Sequence, residues 1–288
     1  MKKNYFFSAV LAIAAAVACT EKGPVDFPIQ GDFTLYGENV AEQEVGVFVT
    51  SEGLPQSNLL YTGAKGEGAV ALTAKAEKAG FKQGNHTIYA YAPYAEGAEL
   101  TAVPVDYSKQ STVAFDPLAD DEILAGLMLS YNSTAQSVLY ATTEVTELSS
   151  AAITLPFAAV NPLTEVTVGE PGLEGTNANA QEGKKVTKIV VTCDKPIAYT
   201  GQTLDLTTGK LVGGTAVNSI EIAADMTVKK MGYVTANGFT FKTCLTEEEV
   251  ATAKFKIEMV METGKTYAAE DKTPSYGGIY ALTLTEVE

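Results

Sequence analysis

Three cysteines, one histidine and a short acidic run are the residues of this 288-residue sequence whose chemistry could reach beyond packing. Cys19 closes Ala16-Val17-Ala18-Cys19, small residues set directly after an apolar run. That pattern suits cleavage before Cys19 and acylation of its thiol and new amine. The alternative is an ordinary secretory signal in which Cys19 is incidental. Cys193 and Cys244 would close a loop of about fifty residues in an oxidising envelope, worth roughly 2–4 kcal/mol if unstrained. Alternation divides them: Cys193 shares a face with Ile189 and Val191, whereas Cys244 has the parity of Thr240 and Lys242 against Phe239 and Phe241. Two separate thiols are therefore the competing reading. His86, beside Asn85 at a strand entrance, reads as a surface or turn residue rather than a catalyst. Asp116, Asp120, Asp121 and Glu122 supply oxygen ligands of the kind Ca²⁺ takes, but their spacing fits a solvated turn and helix cap better. Tyr89, Tyr91 and Tyr94 could stack on a sugar; alternation assigns them instead to a sheet face. Thr207-Thr-Gly-Lys210 resembles a phosphate loop, yet the glycine needed five residues before Gly209 is Leu204, so it reads as a hairpin turn.

Composition removes whole classes of function. The net charge is −15, all 20 basic residues are lysine, and Arg and Trp are absent. Such a surface repels a phosphate backbone, so no nucleic-acid partner is expected. One His and three Cys are too few for a zinc site of the usual kind. No nucleophile elbow or metalloprotease pair occurs, and no cofactor, metal or enzymatic activity is expected. With 46% apolar and 19% charged residues the chain has the means to build a core.

The elements that must carry these residues are mostly strands. Lys2, Lys3 and the apolar run Tyr5 to Val17 form a signal-peptide pattern over residues 1–18, and 19–26 reads as a lipid-anchored tether. Beyond it, period-2 alternation recurs at Val45/Val47/Val49, at Thr87 to Ala92, at Val138 to Val145 and at Ile153/Leu155/Phe157. It returns at Val186 to Cys193, at Phe255/Ile257/Met259/Met261 and over Ile279 to Val287, where Tyr280, Leu282 and Leu284 share a face. Short helices are predicted at Leu72 to Ala79, at Asp120 to Leu124 and after an N-cap at Thr246. Residues 169–185 read as loop. Many short strands separated by turn signals argue for β-sandwiches, one over 27–147 and one over 148–288, with the seam near 146–150.

Several segments in order resemble the fimbrillin family, the lipoprotein-derived subunits of type V fimbriae. They are the Cys19 lipobox, Glu44-Val-Gly-Val-Phe-Val49, Phe81 to Tyr94 with its Tyr91-Ala-Pro-Tyr94 ending, and Asp120-Asp-Glu-Ile-Leu-Ala125. Ile153-Thr-Leu-Pro-Phe157 with Thr164 to Val168, Val186 to Val191 leading to Gly201 through Gly209, and Gly278 to Leu284 complete the set. The family's His shortly after the Leu-x-Phe strand is replaced by Ala158-Ala159. The resemblance implies two transthyretin-like, Greek-key β-sandwich domains and a subunit of stalk, tip or anchor type at the outer membrane. It implies assembly with other fimbrial subunits: a protease removes the first strand, and the open groove takes a strand from the next subunit. Ile279, Tyr280, Leu282 and Leu284 are the candidate donor residues. Family processing is best known as Arg-specific; without Arg, a Lys-directed or other protease would act in the loops that follow Asn39 or Gly53, or the chain stays uncut. The alternative is a non-polymerising surface lipoprotein that binds glycan or a host ligand.

Overall fold

The computed structural model describes residues 34–51, 54–55, 58–75, 85–121, 123, 129–145, 152–229, 238–280 and 282–287. The expected signal peptide, Cys19, the expected tether and the expected 146–150 seam lie outside the described residues. The first half of the chain forms β1 (Leu35–Glu38), β2 (Glu44–Ser51), β3 (Leu54–Pro55), β4 (Leu59–Gly63), β5 (Ala69–Ala74) and β6 (His86–Ala92). There follow β7 (Val103–Val105), β8 (Lys109–Phe115), β9 (Ser130–Ser133), β10 (Leu139–Val145), β11 (Ile153–Leu155) and β12 (Ala158–Ala159). The second half supplies β13 (Thr164–Val168), β14 (Gly172–Glu174), β15 (Lys185–Cys193), β16 (Ala198–Asp205), β17 (Lys210–Val217) and β18 (Ser219–Thr227). It closes with β19 (Phe239–Thr243), the one-turn helix α1 (Glu247–Val250), β20 (Phe255–Met261), β21 (Thr266–Lys272), β22 (Gly278–Ile279) and β23 (Thr283–Glu286). The chain is nearly all β, as the alternation predicts.

Three sheets result. An N-terminal sheet runs β11-β1-β5-β4-β2-β6-β10-β12, with β3 beside β2. Its outermost strands, β11 and β12, are successive in sequence and joined through Pro156 and Phe157, so one short stretch of chain borders both ends. Proline falls here because the break needs no ladder donor. The enclosed core holds Leu35, Val45, Val47, Val49, Leu72, Ile88, Ala90, Leu155 and Phe157. A C-terminal sheet runs β14-β23-β21-β20-β15-β18-β8-β9-β19-β13-β22, around Ile189, Val191, Phe239, Phe241, Phe255, Ile257 and Tyr267. The expected stretches 27–147 and 148–288 exchange strands at their seam: β8 and β9 join the C-terminal sheet, while β11 and β12 join the N-terminal one.

The small sheet β17-β16-β7 lies at the junction between the large ones. On β6, Ile88, Ala90 and Ala92 enter the N-terminal core, whereas Tyr91 turns to the other face and packs with Phe48 in the C-terminal core cluster. Their rings stack with centroids 6.4 Å apart. Gly46, opposite Tyr91 in the ladder, lies beneath that ring with no room for a β-carbon. The β16–β17 turn is built by Asp205, whose carboxylate accepts from Thr207 N at 2.9 Å and Thr207 Oγ1 at 2.6 Å. Gly209 follows at φ 64° with the Tyr140 ring against it, and the Tyr140 hydroxyl donates to Leu206 O at 2.8 Å. The expected hairpin at Thr207–Lys210 thus pins the small sheet to β10 of the N-terminal sheet.

Several local expectations change. Leu72 to Ala74, expected as helix, is the end of β5, where pairing with β1 and β4 overrides helical propensity. Residues 76–79, Glu122 and Leu124 lie outside the described residues. The 169–185 stretch contains β14 and a 3₁₀ turn at Asn179–Gln181. The Thr246 cap forms as a capping box: Glu249 N donates to Thr246 Oγ1, and Thr246 N donates to the Glu249 carboxylate at 2.9 Å.

Candidate functional site

Strand β1, second from one end of the first sheet, offers the arrangement most open to exchange. Strand β1 lies between two neighbours, antiparallel to β5 (Leu35 opposite Leu72) and parallel to β11 (Leu35 opposite Ile153). It is four residues long, and alternation sends Leu35 and Gly37 inward. Only Leu35 brings a large side chain to the core; Gly37 is small because Val40 and Phe157 already fill the space above it. The slot is walled by Val70 and Leu72 on one side and Leu155 and Phe157 on the other. The chain leaves β1 through Asn39, at φ 61°, and a turn closed by Gln43 N donating to Val40 O at 3.2 Å. Val40 is fully buried and anchors that turn. Removing β1 would leave unpaired backbone on both β5 and β11, the condition that favours capture of another strand.

At the opposite chain end, Ile279, Tyr280, Leu282 and Leu284 do not form one strand. Ile279 ends β22, which pairs parallel with β13, and Leu284 lies in β23, between β14 and β21. Leu282 and Leu284 are buried, but Tyr280 is 58% exposed, so the expected shared face is corrected: the chain breaks between β22 and β23 and resets its alternation. The side chain of Glu286 fastens β23. It pairs with Lys265 Nζ at 2.5 Å and accepts from Asn177 Nδ2 at 3.0 Å, and these partners hold its carboxyl below the ordinary range.

Cys193 and Cys244 are free thiols. Cys193 faces inward at the end of β15, as its parity predicts; burial pushes its thiol up to about 11, which keeps it protonated and unreactive. Cys244 is half-buried and bonds through its amide to Ile197 O at 3.1 Å. His86 is buried at the start of β6, opposite Val145 and Ser51, and not at the surface. Pairing on both sides buries a residue that looked terminal from sequence. Tyr91 is buried with its hydroxyl donating to Ala95 O at 3.0 Å, and Tyr89 and Tyr94 are half-buried. Among the described residues no group of three His, Cys, Asp or Glu side chains could hold a metal. No helix among them is long and apolar enough to cross a membrane. An open hollow of about 400 Å³ beside Pro93, Tyr107, Lys109 and Gln136 has Gln110 at its wall. The Gln110 amide donates to Tyr107 O and Lys242 O and accepts from Lys242 N, so its polar atoms serve the fold.

β1 carries only a faint signal in the sequence, the short alternation Leu35-Tyr-Gly37. Ser275-Tyr-Gly-Gly278 is a turn whose signal is its two glycines.

No family model matches the chain, and no curated protein matches it. Solved structures do. A candidate cell adhesion protein from Bacteroides ovatus is similar at 16% identity and a TM-score of 0.39, over 91% of this chain and 97% of that one. A second, from Bacteroides uniformis, is similar at 13% identity and 0.40, over 88% and 92%. A fimbrial assembly protein from Parabacteroides distasonis is similar at 13% identity and 0.30, over 83% and 85%.

Proposed function

We propose that this chain is a non-catalytic, cell-surface subunit of the fimbrial type. In this reading two β-sandwiches are tethered through a lipid on Cys19, and their working part is the β1 slot. The observation that carries the reading is β1 itself, a four-residue strand held between two others by one large side chain. Burial of Leu35 stabilises that strand by about 1.5–3 kcal/mol. An incoming strand with four or five apolar side chains would contribute on the order of 6–15 kcal/mol before ordering costs. The difference drives replacement of the short strand by a longer one. The candidate donor at the chain end already serves its own sheet, so donating it requires a partner groove that outweighs the loss of Leu282, Leu284 and the Glu286 clamp.

A second reading is favoured by the placement of lysine. Between Lys22 and Lys65 there is no basic residue. A basic-specific protease cutting after Lys22 leaves β1 in place. Cutting after Lys65, in the exposed turn between β4 and β5, severs the segment carrying β1 to β4 from the rest. Such a protease cannot release β1 alone. An uncut chain would then act as a fibre anchor or as a non-polymerising surface lipoprotein.

One measurement separates these readings. Material sheared from cells is run for a heat-resistant ladder, and the mature N-terminus is read by mass spectrometry. A ladder with the N-terminus beyond Glu38 supports strand exchange. An intact acylated Cys19 chain, always monomeric, rejects it in favour of the second reading.

A further inference from the structure

After β21 the chain makes a two-residue turn. Ser275 and Gly278 face each other, with Ser275 N donating to Gly278 O at 2.7 Å and Gly278 N to Ser275 O at 3.1 Å. The two residues between them are Tyr276 at φ 53° and Gly277 at φ 78°. Both positions are left-handed, where glycine or asparagine belongs and a bulky side chain is strained. Tyr276 is nevertheless 100% exposed, so its ring returns nothing to the fold for that strain. Tyr280 stands close by, beyond β22. A methyl group at Gly278 would sit 2.8 Å from Tyr280 Cζ, and one at Gly169 would sit 3.3 Å from its Cδ1. The ring therefore rests along bare glycine backbone, which fixes its direction, while more than half of the residue faces solvent.

Two exposed rings four residues apart at one end of the C-terminal sheet, one strained and one backed by glycine, have exposed Thr273, Ser275 and Gly277 beside them in the chain. These chain neighbours are small or polar, unlike the continuous apolar surface that a protein partner would cover. We infer that Tyr276 and Tyr280 form a stacking platform for a neutral glycan, each ring covering the C–H face of a sugar while the neighbouring hydroxyl groups take its hydroxyls. The absence of Arg and the net charge of −15 select against acidic sugars. A shallow two-ring site binds weakly, and a dense array of subunits on a cell surface raises its avidity. The inference rests on the cell-surface reading above and supplies its ligand class.

The full-length protein in detergent is passed over immobilised mannan, galactan, xylan and β-glucan. Tyr276→Gly, Tyr280→Ala and Tyr280→Phe are compared with the parent chain. The parent is retained by at least one neutral polysaccharide. Tyr276→Gly and Tyr280→Ala each weaken retention about tenfold, and Tyr280→Phe keeps it. Tyr276→Gly also holds or raises the Tm, because glycine relieves the turn, so its lost binding cannot be a folding defect. The proposal is overturned if the parent binds none of the four, or if both losses leave retention unchanged. Assembly is read separately on the same variants. Tyr-dependent retention by a chain that forms no ladder rejects polymerisation and leaves the platform standing; a ladder without such retention does the reverse.

Discussion

Around Leu35 the N-terminal sheet is filled with valines, Ile88 and small alanines, with Tyr61 and Phe157 as its large rings. Around Phe241 the C-terminal sheet is filled with Phe239, Phe255, Tyr267, Met259 and Met261. The end strands differ in the same sense. β1 contributes one large apolar side chain, and no ion pair among the described residues involves it; β23 follows buried Leu282, carries Leu284 and is clamped through Glu286 by Lys265 and Asn177. Sheets of similar breadth thus present one loosely seated first strand and one secured last strand. A chain meant to lose a strand and keep its integrity needs that inequality: the exchangeable strand must be replaceable without unfolding the remainder.

The largest expected effect tests whether the C-terminal core is the rigid half. Phe241→Ala removes a fully buried ring packed edge-on against Phe255 at 5.6 Å, and should cost about 3–5 kcal/mol, read from urea unfolding. Leu35→Ala should cost about 2–3 kcal/mol, towards the lower part of the range for such truncations because β1 is short and can leave its slot. Its signature is local: protease attack speeds up at residues 39–43 while amide protection at Val191 and Ile257 is unchanged. If Leu35→Ala loosened both sheets equally, the claimed inequality would be wrong.

The long strands of both cores were legible from sequence, but the weakness of the end strand β1 was not. Phe255, Ile257, Met259 and Met261 alternate over seven residues and are all buried, and Val45, Val47 and Val49 behave likewise. Long alternating runs carry their own face assignment. The Thr246 capping box was equally visible, because its partners are three residues apart. β1 was not, since four residues hold too little periodicity and its neighbours β5 and β11 come from positions 69–74 and 153–155. The burial of His86 depends on Ser51 and Val145, also distant in sequence. Beyond Tyr280 the alternation is genuine at Leu282 and Leu284, but β22 is buried at both of its residues and the break before β23 sets a new phase, which no local residue type announces.

The joint between the sheets gives a smaller effect. Gly209→Ala places a methyl group 2.7 Å from Tyr140 Cε1 at φ 64°, and backbone strain alone should cost about 1–2 kcal/mol. If the β16–β17 turn couples the two sheets, calorimetry should show the single transition of the parent broadening or splitting, with the N-terminal sheet melting first. A sharp transition shifted as a whole would mean that the sheets are coupled elsewhere.

The smallest effect concerns the clamp on β23 and depends on pH. Lys265 and Asn177 hold the Glu286 carboxyl below its ordinary value of 4.5. A folded-state value below the unfolded one means that the pair's contribution is complete above the ordinary value and is lost as pH falls through the folded value. Hydrogen exchange at Leu284 and Thr285 should therefore be flat from about pH 7 to about pH 5, apart from the intrinsic rate, and should quicken below the ordinary value. Glu286→Gln keeps the planar side-chain shape but removes the charge, so its protection starts lower and loses this acid step. Exchange at Leu35 should show no step in either protein, because no ion pair among the described residues fastens β1. An acid step at Leu35 matching that at Leu284 would show that both end strands respond to one global event, and the distinction between a replaceable first strand and a secured last strand would fail.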